Sequence, residues 1–425
     1  MTTGPNHLAV LLEGRHVADL TRTRSGVLRL RYHADVQHVG ATPLSLSLPL
    51  DGSVHGGGAV ERFLQGLLPE NDGALRAIGR RYRVDTSDTL SLLSAIGKDC
   101  GGAVQFCTDD EIESVSRREG SLEPCSDGDI EMRLDEMDTD ENASWLMPGE
   151  HWSLGGTQQK FALRRQDGRW YVAHGSEATT HIVKPGIRKL RGQALDEHVT
   201  MRAAVALGVD AAETDFTSFK SQDAVVVTRF DREHMVDGGV VRLHQEDLCQ
   251  AIGNDEKYEE FGGPSALDIV ELLRDSSATP ALARQNVARF VDGLIFNVVA
   301  GAPDAHARNY AVMLAGDDVT LAPLYDMASG FAYESPSNGR RVVSMSVGGT
   351  FLLDEVDTDA WRRFAGTAGL DESVVLERVA EMTELVPAAF SAALDDIDDY
   401  DGTAALIRER IMKEFDRRRA AQAAT

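Results

Sequence analysis

Asp304 and Asn309 are separated by four residues in 303-PDAHARNY-310, and Asp326 follows in 324-LYDMAS-329. D-x-x-x-x-N is the spacing of a phosphoryl-transfer loop, in which the aspartate orients an attacking hydroxyl and the asparagine offers an oxygen to a metal ion. Between them, Tyr310 to Leu314 and Val319 to Leu324 are apolar runs joined by Gly316-Asp317-Asp318, which predicts a hairpin. A hairpin of that size returns the chain beside its start, so Asp326 comes back close to Asn309. Mg2+ prefers oxygen ligands and keeps several waters, so one carboxamide and one carboxylate suffice beside a nucleotide. His306 and Arg308 lie in the same loop. The spacing by itself also fits an acidic surface loop with an asparagine turn, so the segments upstream must decide.

The elements that would position these groups are legible in order. The apolar helix Ala283 to Val299 delivers Asp304. Far upstream, WSLGGTQQKFALRR places Gly155-Gly156 before a strand, Lys160 to Leu163. Adjacent glycines allow backbone N–H groups to approach phosphates, and they equally mark an ordinary hairpin. Lys184 leaves the strand Thr180 to Val183 directly before Pro185, where its point charge could hold phosphates. In the helix Leu195 to Leu207 that follows, Glu197 in the first turn either pairs with that lysine or simply complements the helix dipole. The β-prone run Ala224 to Thr228 ends in Arg229-Phe230-Asp231-Arg232, a hinge whose backbone could read adenine. Glycine turn, strand lysine, helix glutamate, hinge, catalytic loop, hairpin and metal aspartate is the order of a protein kinase.

Composition sets bounds on the rest. The 425 residues carry a formal charge of −25, which opposes direct contact with nucleic-acid phosphates and leaves 80-RRYR-83 as a solvated helix face. Cys100, Cys107, Cys125 and Cys249 show neither C-x-x-C spacing nor the density of a disulfide framework, which suits a reducing cytoplasm. No run approaches a membrane span, and the N-terminus lacks a basic stretch followed by an apolar core.

The reading is an α+β chain in four parts: residues 1–107, a small α+β subdomain of short strands followed by helices; 108–150, an acidic linker with one short strand; 151–232, the β-rich region that would bind ATP; and 233–425, a mainly helical lobe with the catalytic and metal-binding loops. Residues 330–350, rich in glycine and serine, read as a mobile segment.

The segments LSLSLPL (44–50), FLQGLLPEN (63–71), SLGGTQQKFAL (153–163), THIVKPG (180–186), RFDR (229–232), HQEDLCQAIG (244–253), KYEEFGGPS (257–265), PDAHARN (303–309) and LYDMAS (324–329) together resemble the HipA family. Its members are serine/threonine kinases that act as the toxin of a bacterial type II toxin–antitoxin pair. The resemblance covers nearly the whole chain and implies a two-lobed, kinase-like fold. It also implies that Asp304 is the catalytic aspartate and that Asn309 and Asp326 bind Mg2+. Lys184 would contact ATP phosphates, with Gly155, Gly156, Thr157, Gln158 and Lys160 in the glycine loop and Thr228, Arg229 and Phe230 lining the adenine pocket. Ser153 matches a serine that such kinases autophosphorylate, and a dianionic phosphate there would repel those of ATP. Arg308 stands where many relatives have lysine; His306 fits a D-x-H pattern and reads as a brace for the loop.

Two functions from different classes follow. One is an active kinase that arrests growth by phosphorylating a translation component such as an aminoacyl-tRNA synthetase. The other is an inactive or nucleotide-binding partner and co-repressor of a HipB-like helix-turn-helix antitoxin, with DNA reached only through that partner. The intact set Lys184, Asp304, Asn309 and Asp326 favours catalysis.

Overall fold

The computed structural model describes residues 4–140, 142–236, 238–334 and 339–423. The chain divides into two compact units. The first comprises residues up to Pro185 with Thr217–Asp255 and Val312–Val319; the second comprises Gly186–Phe216, Glu256–Ala311 and the chain from Thr320 onward. Among the described residues no helix is long and apolar enough to cross a membrane.

The first unit opens with strands β1 (His7–Leu12), β2 (Arg15–Arg22) and β3 (Leu28–Tyr32). With β4 (His55–Gly56) and β5 (Val104–Cys107) they form an antiparallel sheet in the order β4-β3-β2-β1-β5. LRLRY in β3 alternates buried and exposed side chains, as a strand with one core face must. Helices α1 (Gly58–Gly66), α2 (Asp72–Tyr82) and α3 (Thr89–Ile96) follow; the Asn71 and Asp88 side chains accept the first free N–H groups of α2 and α3.

The segment 108–150 is not a linker. It contains α4 (Ile112–Ser116), β6 (Gly120–Cys125) and α5 (Asp127–Thr139). With β7 (Phe161–Gln166), β8 (Arg169–Gly175) and β9 (His181–Lys184), β6 joins a sheet in which it pairs antiparallel with β8. Helix α5 starts in a Ser126/Asp129 capping box and buries Ile130, Leu134 and Met137. Its Arg133 guanidinium lies 4.1 Å from the Phe161 ring centre and makes a buried bidentate pair with Glu150 at 2.8–2.9 Å. One large cluster of buried apolar residues runs from Leu8 to Val226 and joins 1–107 to the β-rich region, while Ala9, Leu11, Cys107 and Val115 form a small second cluster.

Helix α6 (Gln193–Ala206), which precedes β10 (Thr214–Phe219) and β11 (Gln222–Thr228), belongs to the second unit, whereas most of those strands belongs to the first. The expected boundary at 232/233 is also displaced. β12 (Arg232–His234), β13 (Val240–Arg242), β14 (Gln245–Asp247) and α7 (Leu248–Ile252) all stay with the first unit. The motif that begins at His244 explains why. His244 Nε2 lies 3.0 Å from the Leu44 carbonyl, Glu246 accepts from Leu46 N–H at 2.8 Å, and Gln250 donates to the Phe63 carbonyl at 2.7 Å. These bonds tie 244–250 to 44–46 and α1.

In the second unit, α8 (Ala266–Ser276) packs on α9 (Pro280–Ala300). Thr279 caps α9, Pro280 opens it, and Gly301 closes it at φ +66°, a conformation glycine adopts without strain. The next strands, β15 (Ala311–Ala315) and β16 (Asp318–Leu321), most of whose residues belong to the first unit, form the expected hairpin around Gly316 at φ +63° and share a small sheet with β14. Of the segment 330–350, residues 335–338 lie outside the described residues, and β17 (Val342–Val347) pairs with β18 (Thr350–Leu352). Helices α10 (Thr358–Thr367), α11 (Glu372–Asp395) and α12 (Thr403–Ala423) complete the unit.

Candidate active site

In the second unit, α9 ends at Gly301 and hands the chain to the loop 302–309, while the hairpin returns it to 324–328. Asp304, Asn309 and Asp326 border one small cleft, with Asn297 on α9 and Tyr310 beside them. Asn309 Nδ2 donates to the Asp304 carbonyl at 2.7 Å, which fixes the carboxamide and presents Oδ1 as its remaining ligand atom. Asp326 adopts φ +60°, in the left-handed region that a residue with a Cβ occupies only when its surroundings require it.

The Asp304 carboxylate is largely exposed and accepts a 2.8 Å bond from the Tyr258 hydroxyl. His306 is buried, stands edge-on to Tyr258 with ring centres 5.0 Å apart, and keeps Nε2 3.6 Å from Asp304, beyond hydrogen-bond distance. Burial lowers the His306 pKa, opposed by the Asp304 charge, so the ring is neutral at pH 7. His306 is also the N-cap of the short turn 307–309, and its carbonyl accepts from Asn309 N–H at 2.9 Å. It braces the loop. Arg308 is half-buried, and its carbonyl accepts from the Tyr325 hydroxyl at 2.8 Å.

Among the residues lining this cleft, Asn297, Asp304, Asn309 and Asp326 carry side-chain oxygens, beside the apolar Ala302, Leu324 and Met327. Asn297 Oδ1 is buried, borders the cleft and has no hydrogen-bond partner among the described residues, while its Nδ2 donates to Tyr310. A hard cation that retains water, such as Mg2+, fits this donor set, since it takes oxygen ligands and could satisfy the orphaned carbonyl through a bound water.

The first unit contains the glycine loop. Ser153 is fully buried, its hydroxyl donates to the Leu67 carbonyl at 2.6 Å, and its N–H donates to the Asp99 carbonyl at 2.9 Å. Gly156 accepts from Glu70 N–H at 3.0 Å, and Thr157 accepts from Asn71 Nδ2 at 3.0 Å. The 63–71 segment is therefore the bed on which the loop lies. Gly155 must be glycine because a Cβ there would sit 2.8 Å from the Gly66 carbonyl, and Gly156 adopts φ +92°. Lys160 Nζ reaches back to the Gly155 carbonyl at 2.7 Å and lies 5.5 Å from the Trp145 ring centre. Thr157 is exposed and Gln158 half-buried. Lys184 ends β9, buried, opposite Val225 of β11. Phe161 faces Val183 in the neighbouring ladder, which sets Lys160 and Lys184 at the same end of adjacent strands.

In the hinge, the Arg229 side chain is buried. Its guanidinium is buried against Asp231 at 2.8 Å and Asp99 at 3.5 Å, and Asp99 also receives Arg232 at 2.9 Å and Arg242 at 2.8 Å. Burial pushes the Asp99 carboxyl up, but the three arginines outweigh it and hold its pKa below the usual range. Thr228 and Phe230 on either side are half-buried, and Thr228 pairs with His181 across β11 and β9. Glu197 lies in the second turn of α6, one place after Asp196, rather than in the first.

Tyr258 is the residue that sequence reading missed. It lies inside the quoted segment 257–265, but no local signal assigns a tyrosine to an aspartate 46 positions away.

Residues 8–107 match the model of the HipA N-terminal domain and residues 152–390 that of the HipA-like C-terminal domain. Y4mE of Sinorhizobium fredii, named as a kinase, is 34% identical over 92% of this chain and 93% of its own. The serine/threonine-protein kinase toxin HipA of Shewanella oneidensis is 28% identical over 91% of this chain and 88% of its own. The solved complex of Shewanella oneidensis HipA with HipB and operator DNA contains a chain that superimposes with a TM-score of 0.81 at 26% identity, covering 96% of this chain and 97% of that one. The chain belongs to the HipA family of serine/threonine-protein kinase toxins.

Proposed function

We propose that this kinase uses ATP and Mg2+, that Asp304 orients a serine or threonine hydroxyl for attack on the γ-phosphate, and that Asn309 and Asp326 hold the metal. The observation that carries the reading is the convergence of those three residues on one cleft, with the Asn309 carboxamide anchored on Asp304. Mg2+ would neutralise phosphate charge there. Tyr258 holds the Asp304 carboxylate in place, and the neutral His306 fixes the loop from behind. Lys184 and the loop of Gly155, Gly156, Thr157, Gln158 and Lys160 are assigned to the phosphates, Arg308 to the γ-phosphate, and the backbone of Thr228, Arg229 and Phe230 to adenine.

The target is a translation component such as an aminoacyl-tRNA synthetase, and its phosphorylation in the cytoplasm arrests growth. A HipB-like helix-turn-helix antitoxin is the partner; an acidic chain suits a basic partner, and DNA is reached only through it. Autophosphorylation falls on Ser153. Because its hydroxyl is buried on Leu67, the loop must leave its bed before Ser153 can accept a phosphate.

Intact-protein mass spectrometry after incubation with Mg-ATP, with peptide mapping, tests this for wild type and Asp304→Ala. One added phosphate at Ser153 in the wild type alone is expected. No phosphate on the chain or on any synthetase offered to it, despite bound ATP, would overturn the reading in favour of a nucleotide-binding co-repressor.

A further inference from the structure

We propose that His16, Asp19 and His33 form a site for a divalent transition-metal ion of the zinc class, with His7 holding Asp19 in place, on the sheet β1–β3 of the first unit. His16 Nε2 lies 3.2 Å from one Asp19 oxygen and His33 Nε2 lies 3.1 Å from the other. One ligand atom from each of the three residues fits within a 4.8 Å span. Ligand atoms bound to a tetrahedral zinc ion lie about 3.3 Å from one another; each imidazole nitrogen already stands near that distance from one Asp19 oxygen, although the two nitrogens meet different oxygens of the carboxylate. The two imidazole rings meet edge-on at 4.3 Å between centres.

The backbone is shaped to produce this cluster. Residues 16 and 19 of a regular strand would face opposite sides of the sheet. Here the β1–β2 register shifts: Val10 faces Ala18, but Leu11 faces His16. Val17 is the extra residue of a bulge, and it turns His16 to the face that carries Asp19. The Val17 carbonyl also accepts the backbone N–H of His33 at 2.9 Å, so the same bulge fixes the third ligand just beyond β3. His7 on β1 completes the arrangement, with Nε2 3.1 Å from Asp19 and Nδ1 3.0 Å from Asp109. A carboxylate–histidine–carboxylate chain of this kind orients a ligand from behind.

Two imidazoles and a carboxylate are a donor set for Zn2+, Co2+ or Ni2+ rather than for the Mg2+ of a kinase centre. The four side chains are a quarter to a third exposed, which leaves an entry path and room for water in the open position. His16 Nε2 also lies 3.1 Å from the Ala18 carbonyl, a contact it must give up to ligate. The bound ion would clamp β1, β2 and β3 and, through His7 and Asp109, the segment after β5.

The test is titration of the chelator-stripped full chain with ZnCl2 against a chromophoric competitor in excess Mg2+, repeated with Co2+ for its visible absorption. One ion per chain is expected, with the intense bands of a four-coordinate site. His16→Ala and His33→Ala should each weaken binding at least about 100-fold, His7→Gln about 10- to 100-fold, and the exposed control His38→Ala not at all. Asp19→Asn, which preserves shape, serves if an alanine variant loses its circular dichroism. Zn2+ affinity equal in wild type, His33→Ala and Asp19→Asn, or no binding tighter than millimolar in the folded wild type, would overturn the proposal.

Discussion

Replacing Ser153 by aspartate should expel the glycine loop, and the structure sets the scale. Among the described residues, four hydrogen bonds hold the loop to the 63–71 segment and to Asp99: Ser153 Oγ to Leu67, Ser153 N–H to Asp99, Glu70 N–H to Gly156 and Asn71 Nδ2 to Thr157. At about 1 kcal/mol net each, they contribute about 4 kcal/mol. An unpaired carboxylate at a position with 0% exposure, facing the Leu67 carbonyl, costs several kcal/mol, which equals or exceeds that total. An excess of only about 1.4 kcal/mol leaves the loop docked in about one molecule in ten, and the apparent ATP affinity falls in proportion. Ser153→Ala loses one bond and leaves one carbonyl unsatisfied, about 1–2 kcal/mol, too little to undock the loop. Calorimetric ATP titration together with hydrogen exchange at the Ser153 amide tests both. The expected result is at least a tenfold loss of affinity and loss of protection for the aspartate variant only. An aspartate variant that binds ATP like wild type with the amide still protected would refute the reasoning.

Three further predictions concern the surrounding framework. Tyr258→Phe removes a bond to a carboxylate that is 62% exposed, so about 1 kcal/mol and about a fivefold fall in kcat are expected, with KM for ATP unchanged in steady-state assays. Asp99→Ala leaves Arg229 and Arg232 with Asp231, removes the carboxylate that pairs with Arg242, and should cost about 3–5 kcal/mol in urea unfolding. Burial raises the Glu246 pKa to about 8, while in the unfolded chain a glutamate ionises near 4.3. The folded state therefore holds a proton that the unfolded state has lost, and the contribution present at low pH declines as pH rises toward 8. Glu246→Gln should flatten that decline, read as a smaller difference between urea midpoints at about pH 5 and about pH 8.

Local chemistry was legible wherever a short stretch determines it. The hairpin came from Gly316 between two apolar runs, and only its ends moved, to Ala311–Ala315 and Asp318–Leu321. That hairpin was enough to bring Asp326 to Asn309. The left-handed backbone of Asp326 was not legible, since an aspartate in that position carries no mark of its φ. The misreading of 108–150 came from averaging composition: most of its acidic residues cap or face solvent, while Ile130, Leu134 and Met137 recur at helical spacing and are buried, and Glu150 is buried on Arg133. The tie between Arg229, Arg232, Arg242 and Asp99 spans more than a hundred residues and has no local pattern to betray it. Tyr258 escaped notice for the same reason, and so did the Val17 bulge, which depends on the register of two strands.

The central claim is that Asp304 acts in phosphoryl transfer rather than in holding nucleotide. Single-turnover transfer of the γ-phosphate from Mg-ATP, measured for wild type and Asp304→Asn with ATP affinity determined in the same samples, tests it most directly. The account predicts an affinity within about threefold and transfer slower by about 10²- to 10⁴-fold, the scale of a positioned general base. Transfer at the wild-type rate by Asp304→Asn would contradict it.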